Sequence, residues 1–303
     1  MKEFVVLTDS CSDLELRLRE KYGVEYIPMH LIIDGKTYDA DIDFKEIPYK
    51  DFYDIIRGGT RVTTAQITAG EYQKRFERYI SEGKDILYIS TPKVMSASHN
   101  ASLAARDEVL SKYPNAKIIC IDGLNACYGL GILVMTAAEF RNEGKTIDEV
   151  AQWVKDYRLT VNQAFTVETL TYLRRSGRVN LASAVMGGLL NIKPIIISDA
   201  TGQNFSIKKV KGRRASLEYI ANLMFDTFED VPYQKVVVCH ADDEKSANEL
   251  KAIIEARFGE KKLDIEMGRI GPIIGAATGP GSVAVLYFGK EVTINRDENP
   301  ELN

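Results

Sequence analysis

Hydroxyl side chains gather at turns that directly follow apolar, strand-like runs, and these are the groups in the chain best suited to chemistry. The first cluster is Thr8-Asp9-Ser10-Cys11-Ser12-Asp13; the second holds Thr63, Thr64, Gln66 and Thr68; the third pairs Ser90-Thr91 with Ser96 and Ser98. Thr63, Thr64 and Gln66 offer uncharged donors, a set that suits a carboxylate or a carbonyl. Ser96 and Ser98 stand at a predicted helix start, where free backbone N–H groups favour an anion. Plain helix capping competes with ligand binding for Ser12, Asp13, Ser96 and Ser98. Thr68 and Glu71 have the spacing of a capping box, which accounts for Thr68 structurally.

Reactive constellations do not accompany these donors. His30, His99 and His240 form neither an HxH nor an HExxH pattern, and the four cysteines show no CxxC spacing. This predicts no metal site. There is no GxSxG elbow, and the runs Asp39, Asp41, Asp43 and Asp242, Asp243 read as charged loop faces. Gly129 and Gly131 lie inside a predicted helix and lack the third glycine of a dinucleotide fingerprint, so close helix packing is their expected role. The loop 271–281, rich in Gly and Pro, lacks the GK[ST] ending of a P-loop and is read as a tight wall around a ligand. The expectation is a binding protein without a cofactor rather than an enzyme.

Something must position these turns. The runs FVVLTD, DILYIS, AKIICID, KPIIIS, KVVVCH and SVAVLYFG are nearly continuous in apolar residues, the pattern of strands covered on both faces. Helical patterns lie between them at 14–22, 49–57, 71–81, 98–112, 128–143, 147–159, 181–190, 215–228 and 244–258. The alternation predicts an α/β fold with mostly parallel sheets flanked by helices. A boundary near 159–162 divides it into two α/β domains, 1–160 and 161–303. A net charge of −4 argues against a nucleic-acid surface. No segment approaches the ~20 apolar residues of a membrane span. The N-terminus enters a strand too early for a signal peptide, so a cytoplasmic protein is expected.

The stretch 172–215 is the most informative. An Arg-Ser-Gly-Arg turn leads into an apolar helix with a Gly-Gly pair, then a Lys-Pro break, a strand and a basic arm. Val185, Met186, Leu189 and Leu190 are either core or the wall of a tunnel. Arg174, Arg175, Arg178, Lys211, Arg213 and Arg214 are either a solvated face or a docking patch for an acidic protein, a membrane surface or a phosphate.

Taken in order, TDSCSDL, TTAQIT, the SAS helix start, IDGLN, SGRVNLASAVMGGLLNIKPII, VKGRRAS and IGPIIGAATGPGSVAV resemble the DegV family of bacterial fatty-acid-binding proteins over nearly the whole chain. The resemblance implies a two-domain fold. A long-chain fatty acid is held with its carboxylate near the domain interface and its tail in an apolar tunnel of the C-terminal domain. It also implies a separate ATP-dependent fatty acid kinase that phosphorylates the bound acid for phospholipid synthesis, the carrier itself doing no phosphoryl chemistry. On the matching motifs Thr64 and Ser96 become carboxylate donors. The tunnel wall then draws on Phe165, Val185, Met186, Leu189, Leu190, Ile195, Ile197 and Ile274, and a monomer with at most transient membrane contact is expected. Ala277 stands where the family pattern Gly-x-His-x-Gly-Pro-Gly carries a histidine, which removes one head-group donor. Two rival readings are a small-molecule enzyme similar to the substrate-binding part of dihydroxyacetone kinases, and a regulatory sensor of an acyl ligand.

Overall fold

A computed structural model describes residues 2–180 and 191–295; the helix expected at 181–190, with Val185, Met186, Leu189 and Leu190, lies outside the described residues. The apolar runs of the first half build a four-stranded sheet from β1 (Phe4–Asp9), β2 (Val24–Ile27), β6 (Asp85–Ser90) and β7 (Ile118–Asp122), in the order β2-β1-β6-β7. Every pairing in it is parallel. All residues of β1 and β6 are buried, as helix cover on both faces requires. α1 (Leu16–Tyr22), α3 (Ala69–Ser81), α4 (Ser98–Lys112), α5 (Tyr128–Asn142) and α6 (Ile147–Tyr157) supply that cover. Thr68 and Thr146 close capping boxes with Glu71 and Glu149, which sets the starts of α3 and α6.

A small antiparallel sheet was not expected. It joins β3 (His30–Ile33), β4 (Lys36–Asp39) and β5 (Val62–Ala65) in the order β4-β3-β5. Asp34 and Gly35, both at positive φ, turn the β3–β4 hairpin, the backbone that a tight two-residue hairpin demands. α2 (Tyr49–Arg57) follows β4.

The second half builds a seven-stranded sheet from β8 (Val161–Thr166), β9 (Val179–Asn180), β10 (Ile192–Ser198), β11 (Asn204–Lys211), β12 (Val236–His240), β13 (Ile265–Arg269) and β14 (Val283–Phe288). Its order is β13-β12-β14-β8-β10-β11-β9. Here the parallel expectation gives way. Only β12–β13 and β11–β9 run parallel; the other four pairings are antiparallel. β12 and β13 are joined by a helix, α9 (Glu244–Phe258), long enough to cross over, whereas β10 and β11 are joined by a short turn and must reverse.

The outer face of this sheet packs on α8 (Arg213–Thr227) and α9 through Ile195, Leu217, Ile220, Met224, Val238 and Leu250. Its inner face, through Phe165, Ile196, Cys239, Ala284 and Leu286, joins a core that also holds Leu7, Leu14, Tyr128 and Leu133. α5 fills the space between β1 and β14 and is buried from Tyr128 through Ala138. Gly131 allows this approach: a Cβ there would stand 2.8 Å from the Ser12 carbonyl oxygen. α7 (Leu170–Ser176) and α10 (Pro272–Thr278) pack on each other beside the inner face. Among the described residues no helix is long and apolar enough to cross a membrane.

Candidate functional site

A cavity of ≈ 420 Å³ lies where β5, the loop after β6, α7, α10 and the inner face of the seven-stranded sheet meet, within the range of small-molecule sites. It gathers residues that are far apart in sequence. Thr63 and Thr64 reach it from β5, Ser96 from the loop before α4, Ile274 and Ala277 from α10, and Phe165 from β8. The two expected carboxylate donors, the position lacking the histidine, and two expected tunnel residues therefore line one space.

Ser98 ties the two donor turns together. The Ser96 hydroxyl donates to Ser98 Oγ at 3.0 Å and accepts from the Ser98 N–H at 3.2 Å, and the Ile67 N–H donates to Ser98 Oγ at 3.2 Å. Ser96 thus serves the start of α4 and the cavity wall at once. The Thr64 hydroxyl has no hydrogen-bond partner among the described residues and remains available to a ligand.

The charge of the wall is one-sided. Arg61, Arg175 and Arg178 line it, and no Asp or Glu does among the described residues. All three arginines are exposed and lack a carboxylate partner among the described residues. Such a mouth attracts an anion. Deeper in, Cys11 and Cys127 face the space. Burial pushes both thiols well up, so they are neutral wall rather than nucleophiles.

Several expected site residues lie elsewhere. Ile195 and Ile197 pack on the outer core beneath α8 and α9. Strand alternation turns them away from the cavity while Ile196, paired with Phe165, faces inward. Arg213 is already engaged within the fold. Its side chain is 18% exposed and holds Glu168 at 2.6 Å and the Gly281 carbonyl at 2.7 Å. Burial pushes the Glu168 carboxyl up, but hydrogen bonds from Lys193 and Arg213 hold it below its ordinary value. Arg214 is exposed yet paired on its own helix face with Glu218 at 2.7 Å and on α9 with Glu249 at 2.9 Å. Arg174 and Lys211 are exposed but do not line the cavity.

The other hydroxyl turns are used by the fold. Asp9 accepts from the Cys11 and Thr91 N–H groups at 2.9 and 2.8 Å, and Ser10 bridges the Ala40 carbonyl and the Met29 N–H. Neither Ser12 nor Asp13 caps α1, whose N-cap is Glu15; Asp9 caps the short turn Ser10–Ser12 instead. Burial raises the Asp13 carboxyl to about 8. Asn125 donates to the Gly123 and Arg158 carbonyls. None of the three histidines lines the cavity; His99 Nδ1 meets Ser90 Oγ at 2.9 Å in a buried pair, and His30 Nε2 meets Glu71 at 2.8 Å.

Sequence reasoning missed Arg61, Gln163, Tyr172, Leu173 and Asn204 as lining residues. Gln163 shares the inward face of β8 with Phe165 two positions on, a pairing that strand alternation makes readable. Tyr172 sits against Gly279, whose φ of +76° and lack of a side chain admit the ring; nothing local announces that contact.

Comparison with known proteins agrees with this architecture. A family model described as an uncharacterised protein of the DegV family matches residues 3–290. A DegV domain-containing protein of Clostridium perfringens is 35% identical over 289 residues, covering 95% of this chain and 98% of the relative. A DegV lipid-binding protein from Thermotoga maritima superposes with a TM-score of 0.83 at 26% identity, covering 97% of this chain and all of the other. A second Thermotoga maritima protein, whose structure is described as revealing fatty acid binding function, gives a TM-score of 0.82 at 25% identity over 96% of this chain and all of the other.

Proposed function

The chain belongs to the DegV family, and on that premise we propose that it is a non-catalytic carrier of a long-chain fatty acid. One observation carries the reading. A single cavity joins the free Thr64 hydroxyl, Ser96 and three arginines to an apolar wall containing Phe165, Leu173 and Ile274, with no acidic residue among the described lining. The carboxylate accepts from the free Thr64 hydroxyl and from Ser96, whose proton turns from Ser98 Oγ to the ligand on binding, and Arg175 and Arg178 supply the charge that the alanine at 277 does not. The tail lies against the sheet, where each buried methylene contributes about 0.8 kcal/mol. Residues 1–160 act as the head-group domain and residues 161–303 as the acyl domain. The acid is presented, in the cytoplasm and by a monomer, to a separate ATP-dependent fatty acid kinase for acyl-phosphate formation and phospholipid synthesis. Arg174, Arg175 and Arg178, exposed on and just after α7, are the proposed docking residues for that kinase and for any passing contact with an anionic membrane. An enzyme that holds a small ketone on a histidine is less well supported, because no histidine faces the cavity among the described lining.

Mass spectrometry of the denatured, purified protein is expected to show a co-purified fatty acid. Addition of a fatty acid kinase and ATP is expected to yield acyl-phosphate. A protein that neither carries nor takes up palmitic, stearic or oleic acid would sink the proposal; uptake without acyl-phosphate would retain the binding role and remove the carrier role.

A further inference from the structure

One step of the cavity wall does not suit a plain hydrocarbon tail. Gln163 on β8 and Asn204 on β11 both line the cavity, and Gln163 Nε2 donates to Asn204 Oδ1 at 2.6 Å. Most of their cross-strand neighbours are apolar, Ser198 opposite Asn204 on β10 being the exception. Gln163 pairs across β8–β14 with Leu286, Asn204 pairs across β11–β9 with Val179, and the next residue inward on β8 is Phe165. Gln163 is only 7% exposed.

The hydrogen-bonding capacity of the pair is not used up. An amide carries one acceptor oxygen and one NH2 donor group. Joining two amides by a single bond leaves one oxygen and one NH2 over, whichever way each amide is turned. The Asn204 NH2 has only a 3.9 Å contact with Met95 Sδ, and Gln163 Oε1 has no partner among the described residues. Methylenes laid against these groups would leave both unsatisfied in a nearly dry site, which costs about 1–3 kcal/mol. A hydroxyl at the same place answers both, since it donates to the oxygen and accepts from the NH2.

Resting on the fatty-acid reading above, we propose that the preferred ligand is an acyl chain bearing an uncharged oxygen function, a hydroxyl first of all, bound by Gln163 and Asn204. The second function is uncharged because the two groups left over, an amide oxygen and an amide NH2, carry no charge to pair with an ion, and among the described residues no acidic side chain lines the cavity to hold a cation.

The test is displacement of a fluorescent fatty acid from the full chain by stearic acid and by hydroxystearic acids with the hydroxyl at carbon 2, 3, 10, 12 or 18. At least one hydroxy acid is expected to bind about tenfold tighter than stearic acid, the gain of roughly one satisfied buried hydrogen bond. Asn204→Leu, at a half-buried position, and Gln163→Leu, made separately, are each expected to abolish that advantage, so that no hydroxy acid binds either variant more tightly than stearic acid binds the same variant. Stearic acid binding as tightly as every hydroxy acid would overturn the inference and point to a trapped water between the amides. An advantage that survives both substitutions would overturn it as well. Failure of stearic and hydroxy acids alike would overturn the fatty-acid reading itself, and this inference with it.

Discussion

Asp13 offers a test of how the two halves are locked together. It is fully buried at φ 52°, where the turn Ser10–Ser12 meets Gly271 just before α10. The Cys127 thiol and the Gly271 N–H approach its carboxyl, but neither oxygen has a hydrogen bond of good geometry. Burial therefore dominates and raises the group from 3.8 to about 8. The sign follows from linkage. Below pH 3.8 the carboxyl is protonated in both the folded and the unfolded chain and costs nothing. Between 3.8 and about 8 the unfolded chain releases its proton while the folded chain keeps it, so stability falls as pH rises and levels off above about 8. At about 1.4 kcal/mol per pH unit the loss reaches roughly 4 kcal/mol at pH 7. Asp13→Asn removes the titration and tolerates the left-handed backbone equally well, but buries an amide whose NH2 lacks a partner, at about 1–3 kcal/mol. Urea unfolding of both proteins at pH 5, 6, 7 and 8 should show the Asn variant near or below the parent at pH 5 and more stable by pH 8. Other titrating groups cancel in the difference. Parallel stability profiles for the two proteins would refute the reasoning.

Four further substitutions separate the roles assigned above. Ala277→His should tighten fatty-acid binding roughly 10- to 100-fold at pH 6, where the imidazole is charged, the range of a hydrogen bond to an ionised partner; unchanged affinity in a displacement assay would mean that residue 277 does not face the head group. Gly131→Ala should lower the thermal midpoint, because its Cβ would meet the Ser12 carbonyl at 2.8 Å and Leu14 Cδ2 at 2.9 Å. Overpacking of about 1–3 kcal/mol outweighs a helix-propensity gain of at most about 1 kcal/mol, and an unchanged midpoint would contradict close packing of α5. Arg213→Ala should cost about 1–3 kcal/mol by freeing Glu168 and the Gly281 carbonyl, whereas Arg214→Ala should stay within about 0.5 kcal/mol. Equal losses in denaturant unfolding would show the two arginines to be misassigned.

Much of this was readable from residue order. The continuous apolar runs of β1 and β6 required helix cover, and the capping box at Thr68 marked the start of α3, expected at 71 and found at Ala69. The glycine spacing of α5 was correctly read as packing. What was lost was lost to two causes. Asp34-Gly35 is a hairpin signal, but β3 and β4 are only four residues each, too short for alternation to stand out, so β5 was read as a turn although its donors were found. Partner choice in the larger sheet is non-local: KPIIIS and SVAVLYFG read alike whether their neighbours run parallel or antiparallel. The basic arm shows the same limit. Arg213 and Arg214 are chain neighbours, yet α8 aims one at Glu168 across the sheet edge and the other along its own surface, which no count of charges distinguishes. Ile195 fell to the face opposite Phe165 because an apolar strand buried on both sides carries no mark of which side is inner.

The arrangement divides the work of binding between head and tail. A chain of about fifteen methylenes yields on the order of 12 kcal/mol by burial, comparable with the 4–15 kcal/mol opposing association. The tail thus brings binding to a workable level by itself, and a modest head-group term decides orientation. On the proposed reading Thr64 and Ser96 would supply that term through neutral donors, and Arg61, Arg175 and Arg178, which line the same cavity without a carboxylate partner among the described residues, would supply it through a field that needs no precise contact. Exposed charges act over about a Debye length and weaken with salt. Raising salt should therefore slow capture of the anion far more than it hastens release, since release is governed by the buried chain. A histidine at 277 would add a directional bond to a site that already has attraction, which is why its absence is compatible with binding. If salt changed the off-rate more than the on-rate in stopped-flow measurements, the head group rather than the tail would be setting the affinity, and this division of labour would have to be reversed.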